Sequence, residues 1–377
     1  MRIEIIDSLS TIDTAAWDSI TNSSNPFIQH TFLNALEQQR CLHDYGWYPQ
    51  HIVIYDKDQL VAAMPMYIKD NSYGELVFDW AWADAYHRSG IPYYPKLVTA
   101  IPYTPAAGPR LLVDKNQDYQ SCAKILTDTA RTHANELKAS SVHWLFTNQQ
   151  DTEFFKDQGY AMRLGYQFHW HNNNYESFEH YLSFMSADKR KKIKRERRRV
   201  EEQGIELEVR HGDEMTDELW LIFHDFYCST FDRKSGMPTL SLEFFQEVGK
   251  YMPRNIVLVF AKYENQYVAS AVNFKDDDVL YGRHWGCNED FHSLHFEACY
   301  YQGLEYCIKH GLKSFEPGAQ GEHKISRGFL PTPIWSAHWV AHPEFAKIIG
   351  KHVKQEQEGM QHYINSLMLH SPFKQSS

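Results

Sequence analysis

The chain has 377 residues, 43% of them hydrophobic and 15% aromatic, and its 38 Lys and Arg against 48 Asp and Glu give a net charge of −10 at pH 7. That length exceeds a single compact core and predicts two domains, while the acid excess excludes a surface coated for nucleic acid, DNA included. No apolar run approaches the roughly 20 residues that span a bilayer, and the opening MRIEIIDSLS has neither the charged nor the apolar region of a signal peptide, so a cytoplasmic protein without an integral membrane segment is expected.

Residues 2–6 read as a strand, and 15–20 and 31–40 as helices, the second introduced by Asn25 and Pro26. Residues 47–55 and 60–68 alternate in polarity around the DKDQ turn and predict a β-hairpin. The stretch 73–110 then carries five prolines among many aromatics. A loop this long inside a domain is functional or disordered, and this one is too aromatic for disorder. It predicts a lid or wall facing substrate, with Asp79, Trp80, Trp82, Asp84, Tyr103 and Arg110 as contact candidates. The alternative is a structural loop packed by its own aromatics. A helix over 117–137, a strand over 142–147 and a short helix over 152–158 ending at Gly159 follow. A strand over 162–170 closes the half, with Gln167, His169 and His171 alternating onto one side.

The NNN run at 172–174 marks a break. The expected domains are therefore 1–171, with its long aromatic loop, and 172–342, with a basic helix over 186–203, followed by a C-terminal helix and tail over 343–377. Lys189 to Arg199 holds nine basic residues and one acid, and helical spacing turns Ile193, Glu196 and Val200 inward. Arg190, Lys194 and Arg197 are the candidates for gripping donor phosphates, against the alternative of a solvated face. Next come a strand over 205–210, helices over 217–231 and 241–251, and a hairpin pairing 256–262 with 267–275 around ENQ. Both halves thus share an order of strand, two helices, hairpin, helix and strand, which predicts an internal duplication.

The segment 279–329 organises the second half. Residues 279–286 read as a strand whose period of two places Tyr281, Arg283 and Trp285 on one face. Leu294, Ala298, Tyr301, Leu304 and Ile308 have helical spacing, and Gly311 is the expected stop. A strand over 313–316 runs into PGAQGEHK, where Pro317, Gly318 and Gly321 forbid regular structure and let backbone approach a ligand. Glu316, His323 and Lys324 arrive together at that strand end, and Gln320 in the turn is a substrate-binding candidate. His295 and Glu297 fall in the first turn of the helix, where an acid is stabilised whatever its function.

The second half resembles the GNAT acyltransferase fold. The duplicated order with the basic segment MSADKRKKIKRERRRVEEQGIEL, and the helix, Gly, strand and Gly-rich turn in LHFEACYYQGLEYCIKHGLKSFEPGAQG, are similar to the Fem-type aminoacyltransferases of peptidoglycan bridge synthesis. YGELVFDWAWADAYHRSG, YYPKLVTAIPYTPAAGPRLL, YGRHWGC and FEPGAQGEHKISRGF resemble a bacterial group of N-acyltransferases carrying a peptidoglycan biosynthesis or recognition label. The resemblance implies an α+β (mixed α/β) protein of two tandem GNAT-like domains with mixed central sheets plus a C-terminal helix. It also implies transfer of an acyl group from acyl-CoA or aminoacyl-tRNA, with no tightly bound cofactor, to a small-molecule or peptide amine such as a cell-wall precursor. The chain departs from the pattern in lacking an Arg/Gln-x-x-Gly-x-Gly/Ala turn before Leu294, so the coenzyme A cradle is absent or altered. Lys324 best fits the Fem-type lysine that assists transfer.

Such chemistry needs a base for the amine, a carbonyl held nearby and donors for the oxyanion. Glu316 is the candidate base, with His323 and His295 beside it, and Lys324 or the Gly318 to Gly321 amides are the oxyanion donors. The alternative is that Glu316 pairs with Lys324 or Arg327. A zinc site is not expected, since no third ligand joins His169 and His171. Nucleophilic catalysis is not expected either, since Ser229 and Ser235 lack an elbow motif and Cys287 lacks a triad. The six scattered cysteines fit reduced thiols. The competing function class is a non-catalytic module of the same fold that recognises a peptidoglycan precursor or RNA.

Overall fold

The computed structural model describes residues 1–233, 236–319 and 321–374. They form two compact units, Met1–Tyr166 with Pro333–Tyr363, and Gln167–Thr332 with the chain from Ile364 onward. The chain thus returns to the first unit at Pro333 and leaves it after Tyr363, rather than dividing at residue 342. No described helix is long and apolar enough to cross a membrane.

The first unit opens with β1 (Arg2–Ile6), α1 (Thr14–Thr21) and α2 (His30–Gln38), and continues through β2 (Trp47–Pro49), β3 (His51–Asp56), β4 (Gln59–Met64) and β5 (Tyr67–Lys69). The stretch expected to be irregular instead holds α3 (Trp80–Arg88) and β6 (Lys96–Thr99) before β7 (Leu112–Val113). The prolines hid the helix because all five of the stretch follow it without entering it, and its buried Trp82 and Tyr86 stand one helical turn apart. Then come α4 (Tyr119–Glu136), β8 (Ser141–Thr147), α5 (Gln149–Asp157) and β9 (Ala161–His171), whose last residues enter the second unit. Antiparallel β1, β3, β4 and β7 make one sheet, while β2, β5, β6 and β8 make part of another in which β6 and β8 run parallel. Asp118 caps α4 through the Ser121 amide. The apolar side of α4 buries Leu126 and Ala130 against Ile52, Met64 and Trp144, and each large side chain so buried contributes roughly 1.5–3 kcal/mol.

The second unit runs α6 (Phe178–Ser183), α7 (Ala187–Glu202), β10 (Glu206–His211), α8 (Asp217–Arg233), α9 (Leu242–Tyr251), β11 (Ile256–Tyr263), β12 (Gln266–Lys275) and β13 (Val279–Cys287). A helix follows in three pieces, α10 (Leu294–Phe296), a π-helical turn over Glu297–Tyr301 and α11 (Gln302–His310), closed by Gly311 at φ 69°. Next are β14 (Ser314–Glu316), a 3-10 turn over Glu322–Arg327, β15 (Leu330–Val340), whose later residues belong to the first unit, and α12 (Pro343–Met368). In the first unit β15 pairs antiparallel with β8. In the second, β10 to β13 form a continuous antiparallel meander and β14 joins β13 in parallel. With β2, β5, α3 and β7 as additions in the first, both units place strand, two helices, hairpin, strand, helix and parallel strand in the same order, the arrangement expected of a GNAT-like half.

Candidate active site

The parallel ladder between β13 and β14 ends at Tyr281 and Glu316, yet β13 runs on to Cys287. The two strands part because Pro317 and Gly318 turn the chain away, Gly318 at φ +83° and Gly321 at +107°, values that favour glycine. The parting leaves a cavity of about 90 Å³ lined by Arg283, His284, Trp285, His295, Cys299, Tyr300 and Pro317 among others.

A one-residue bulge fixes what enters it. On β12 the register passes from Val272 opposite His284 to Asn273 opposite Gly282, so Arg283 has no opposite number. Tyr281 faces Phe274 and Trp285 faces Ala271. Phe274 and Ala271 lie an odd number of residues apart, so Tyr281 and Trp285 stand on opposite faces of the sheet. The shared face expected from simple alternation is therefore corrected. Trp285 packs on the His295 ring, with centroids 5.6 Å apart, whereas Tyr281 donates to Asp276 Oδ2 at 2.9 Å. Burial lowers the Arg283 guanidinium to about 10, a shift countered by the charges of Tyr227 and Glu316, and burial also holds His284 near 3.

The π-helical turn shifts the helical phase so that consecutive residues Cys299 and Tyr300 both reach the cavity. Burial raises the Cys299 thiol far above its ordinary range, so it stands protonated. Tyr300 hydroxyl lies 2.9 Å from His323 Nε2, and His323 sits against Phe296 with its pKa lowered by burial and by the Arg327 charge.

Glu316 stands at the end of β14 with Oε1 3.9 Å from His169 Nδ1. Burial first, then the charges of His171 and Lys324, lower His169 to about 3, so this ring is neutral. Lys324 is buried and its pKa falls to about 8 through desolvation. Its Nζ donates to the carbonyls of Pro317, Gly318 and Ala319 at 3.2, 2.8 and 3.3 Å. Lys324 thus ties down the turn after β14, and its protons point at backbone. Arg327 is committed elsewhere as well, with Nη2 donating to both Glu196 oxygens at 2.9 Å and Nε to Tyr301 hydroxyl at 3.0 Å. Gln320 lies outside the described residues.

The basic helix is fastened by acids. Ile193, Glu196 and Val200 are its buried face. Arg197 bonds Glu297 and Glu305 at 2.7–3.1 Å and stacks over Phe178. The expectation that Arg197 faces a donor is corrected by these pairs, which form because Glu297 and Glu305 stand opposite it on the neighbouring helix. Lys194 reaches Glu179 at 2.6 Å on the surface, and Arg190 is half-buried.

The residues singled out in the first unit separate into two groups. Trp80 and Asp84 are exposed, Asp84 pairing with Arg88. Asp79, Trp82 and Arg110 are buried. Asp79 accepts from Tyr93 hydroxyl at 2.6 Å and from Lys96; against the burial that raises it, those charges and bonds bring it down to about 2. Trp82 packs on the His143 and His338 rings. Arg110 donates to the carbonyls of Leu145, Ala106 and Pro109 at 2.7, 2.7 and 3.1 Å. It holds a loop, and substrate contact is not its role in this arrangement.

That loop fills the counterpart of the opening in the second unit. Beyond the parallel pair of β6 and β8, Gly108 bridges to Thr147, its amide donates to Phe146 oxygen at 3.1 Å, and Asn148 amide donates back to Gly108 oxygen at 3.0 Å. One half has closed the gap between its parallel strands with its own backbone, and the other keeps the gap open and lined by ionisable and aromatic groups. Sequence reading missed His284, Cys299 and Tyr300 as cavity residues, because the bulge and the π-helical turn that aim them change phase without a change in residue type.

A family model described as FemAB-like, peptidoglycan biosynthesis/recognition, matches residues 8–375. No curated protein matches the chain. Among solved structures it is similar to FemX, at 11% identity and TM-score 0.52 over 93% of this chain and 100% of that one. It is also similar to L-PGS from Bacillus licheniformis, at 11% identity and TM-score 0.56 over 94% and 99%. At these identities the likeness shows the fold, which is that of tandem GNAT-like units.

Proposed function

Because the chain belongs to the FemAB-like family of peptidoglycan biosynthesis or recognition, we propose that it is an N-acyltransferase joining an activated acyl or aminoacyl group to an amine at the opening between β13 and β14. The carrying observation is the contrast between the halves, since the first fills its gap with Gly108 and the second leaves Arg283, Trp285 and Tyr300 around a cavity.

In this reading the amine nitrogen attacks the donor carbonyl carbon, forming the amide C–N bond, and the C–S or C–O bond to the donor breaks. Glu316 takes the amine proton and passes it to the departing thiolate or alkoxide, which leaves as the thiol or hydroxyl. A neutral His169 beside Glu316 offers no competing cation. We assign the oxyanion to the backbone amides of Gly318 and Ala319, in the turn whose carbonyls Lys324 holds, since fixed donors need no rearrangement during reaction. Lys324 acts here as a positioning residue. The acceptor fitting the family is an amine of a peptidoglycan precursor. With Arg197 held by two carboxylates and Lys194 by the exposed Glu179, Arg190 leads the donor-phosphate role on the basic helix and Lys194 joins it by giving up a weak surface pair, so acyl-CoA and aminoacyl-tRNA both stand as donors.

The test is to incubate purified protein with acyl-CoA and aminoacyl-tRNA pools and candidate amines. A mass gain equal to the acyl group on one amine supports the reading. Saturable binding of a precursor or of RNA with no mass gain under any donor points to the non-catalytic module.

A further inference from the structure

The first unit carries a concavity of its own. It is a groove of about 940 Å³ lined by α5, the start of β9, the later part of β15 and α12, with Arg131 of α4 at its side. Five cations line it, Arg131, Lys156, Lys347, Lys351 and Lys354, and among its described lining residues there is no carboxylate. In a chain of net charge −10 such a segregation is a local reversal of sign. Lys347, Lys351 and Lys354 recur at four and three residues along α12, which stacks them on one side of that helix. Arg131 and Lys347 each have an exposed acid on their own helix, at 3.5 and 3.2 Å, and surface pairs of this kind hold a cation only weakly.

The walls are as distinctive as the charge. Trp335 and Trp339 of β15 are half-buried in the groove, with Lys156 Nζ 4.1 Å from the Trp335 ring centroid and Arg131 Cζ 5.5 Å from that of Trp339. Each indole thus holds a cation over its face, a desolvating arrangement that keeps the charge at the groove wall. Cations gathered from three helices beside flat indoles match a ligand that carries adjacent phosphates and an aromatic or apolar group.

We infer that this groove is a binding site for an oligophosphate-bearing small molecule, its phosphates on Lys156, Lys351 and Lys354 and its flat portion along Trp335 and Trp339. The inference does not depend on the acyl-transfer reading, since every residue of the groove belongs to the first unit.

Isothermal titration of the full chain at low salt with inorganic pyrophosphate and with ADP tests it. Saturable binding of either ligand, weakening as salt rises, is expected. The K351Q/K354Q double variant should bind on the order of tenfold or more weakly, given what charge-assisted hydrogen bonds contribute, while K351R/K354R should retain the parent affinity. Unchanged melting temperatures in both variants show that folding is intact. ADP binding more tightly than pyrophosphate assigns the indoles to a nucleoside, and equal affinities assign the site to the diphosphate alone, either result supporting the inference. Absence of saturable binding, or affinity untouched in K351Q/K354Q, overturns it. So does failure of both small molecules together with charge-dependent capture on phosphatidylglycerol vesicles, which would make the patch a membrane-facing surface.

Discussion

His169 Nδ1 lies 3.9 Å from Glu316 Oε1 at the point where β14 parts from β13. This carboxylate, beside a buried neutral imidazole and one residue before the cavity-lining Pro317, is the group we assign to receive the proton of an incoming amine. Glu316→Gln keeps the shape and removes the proton acceptor. Its kcat should fall by roughly 10²–10⁴-fold, the usual contribution of a positioned base, with an unchanged circular dichroism spectrum. A kcat equal to that of the parent removes Glu316 from the chemistry.

The same histidine makes stability depend on acid. The folded pKa of His169 is lowered to about 3 from 6.5, so below pH 6.5 the unfolded chain binds a proton that the folded chain refuses. Stability is therefore present above pH 6.5 and is lost as pH falls toward 3. Between pH 7 and 5 this one group costs about 2 kcal/mol. Urea denaturation of His169→Gln should show a pH 7 to pH 5 difference smaller than the parent's by about that amount. An identical difference means that the ring titrates normally.

Glu196 and Arg327 form a buried pair that fastens the basic helix to the 3-10 turn after β14. Glu196→Ala leaves a buried guanidinium without its carboxylate and should cost about 3–5 kcal/mol in urea denaturation. Arg190→Gln on the same helix should stay within about 0.5 kcal/mol of the parent. Equal effects of the two variants would contradict the assignment of a structural face and a free face to this helix.

Much of this was legible in the sequence. The hairpin around DKDQ, the helix stop at Gly311, the inward turn of Ile193, Glu196 and Val200, and the repeated order of elements all follow from periods and turn residues. The misreadings arise where a long-range partner decides. The bulge at Arg283 exists only in the register with β12, so alternation along one strand misplaces Tyr281 and Trp285. The helix over Trp80–Arg88 precedes five prolines that dominate the rest of its stretch. Arg110 reads as a loop cation, yet its neighbours in space are three carbonyls, two of them near in sequence and one on β8.

Arg110 supplies a further test. Arg110→Met leaves those carbonyls without their donor and should destabilise the protein by about 2–4 kcal/mol. At a temperature where the variant is folded, KM for the acceptor should stay within about twofold of the parent, because nothing that touches substrate has changed. A large rise in KM with unaltered stability would return Arg110 to a substrate-facing role.

The central claim places acyl transfer in the second unit, at the opening beside Arg283, and the most direct measurement locates the donor itself. An acyl donor bearing a diazirine on its acyl chain, photolysed on the full-length protein and mapped by peptide mass spectrometry, should label residues of 281–300 or 316–324. Labelling should be suppressed by excess unmodified donor. Competed labelling confined to the first unit, at Gly108 and its neighbours or in the groove beside Trp335, would contradict the account.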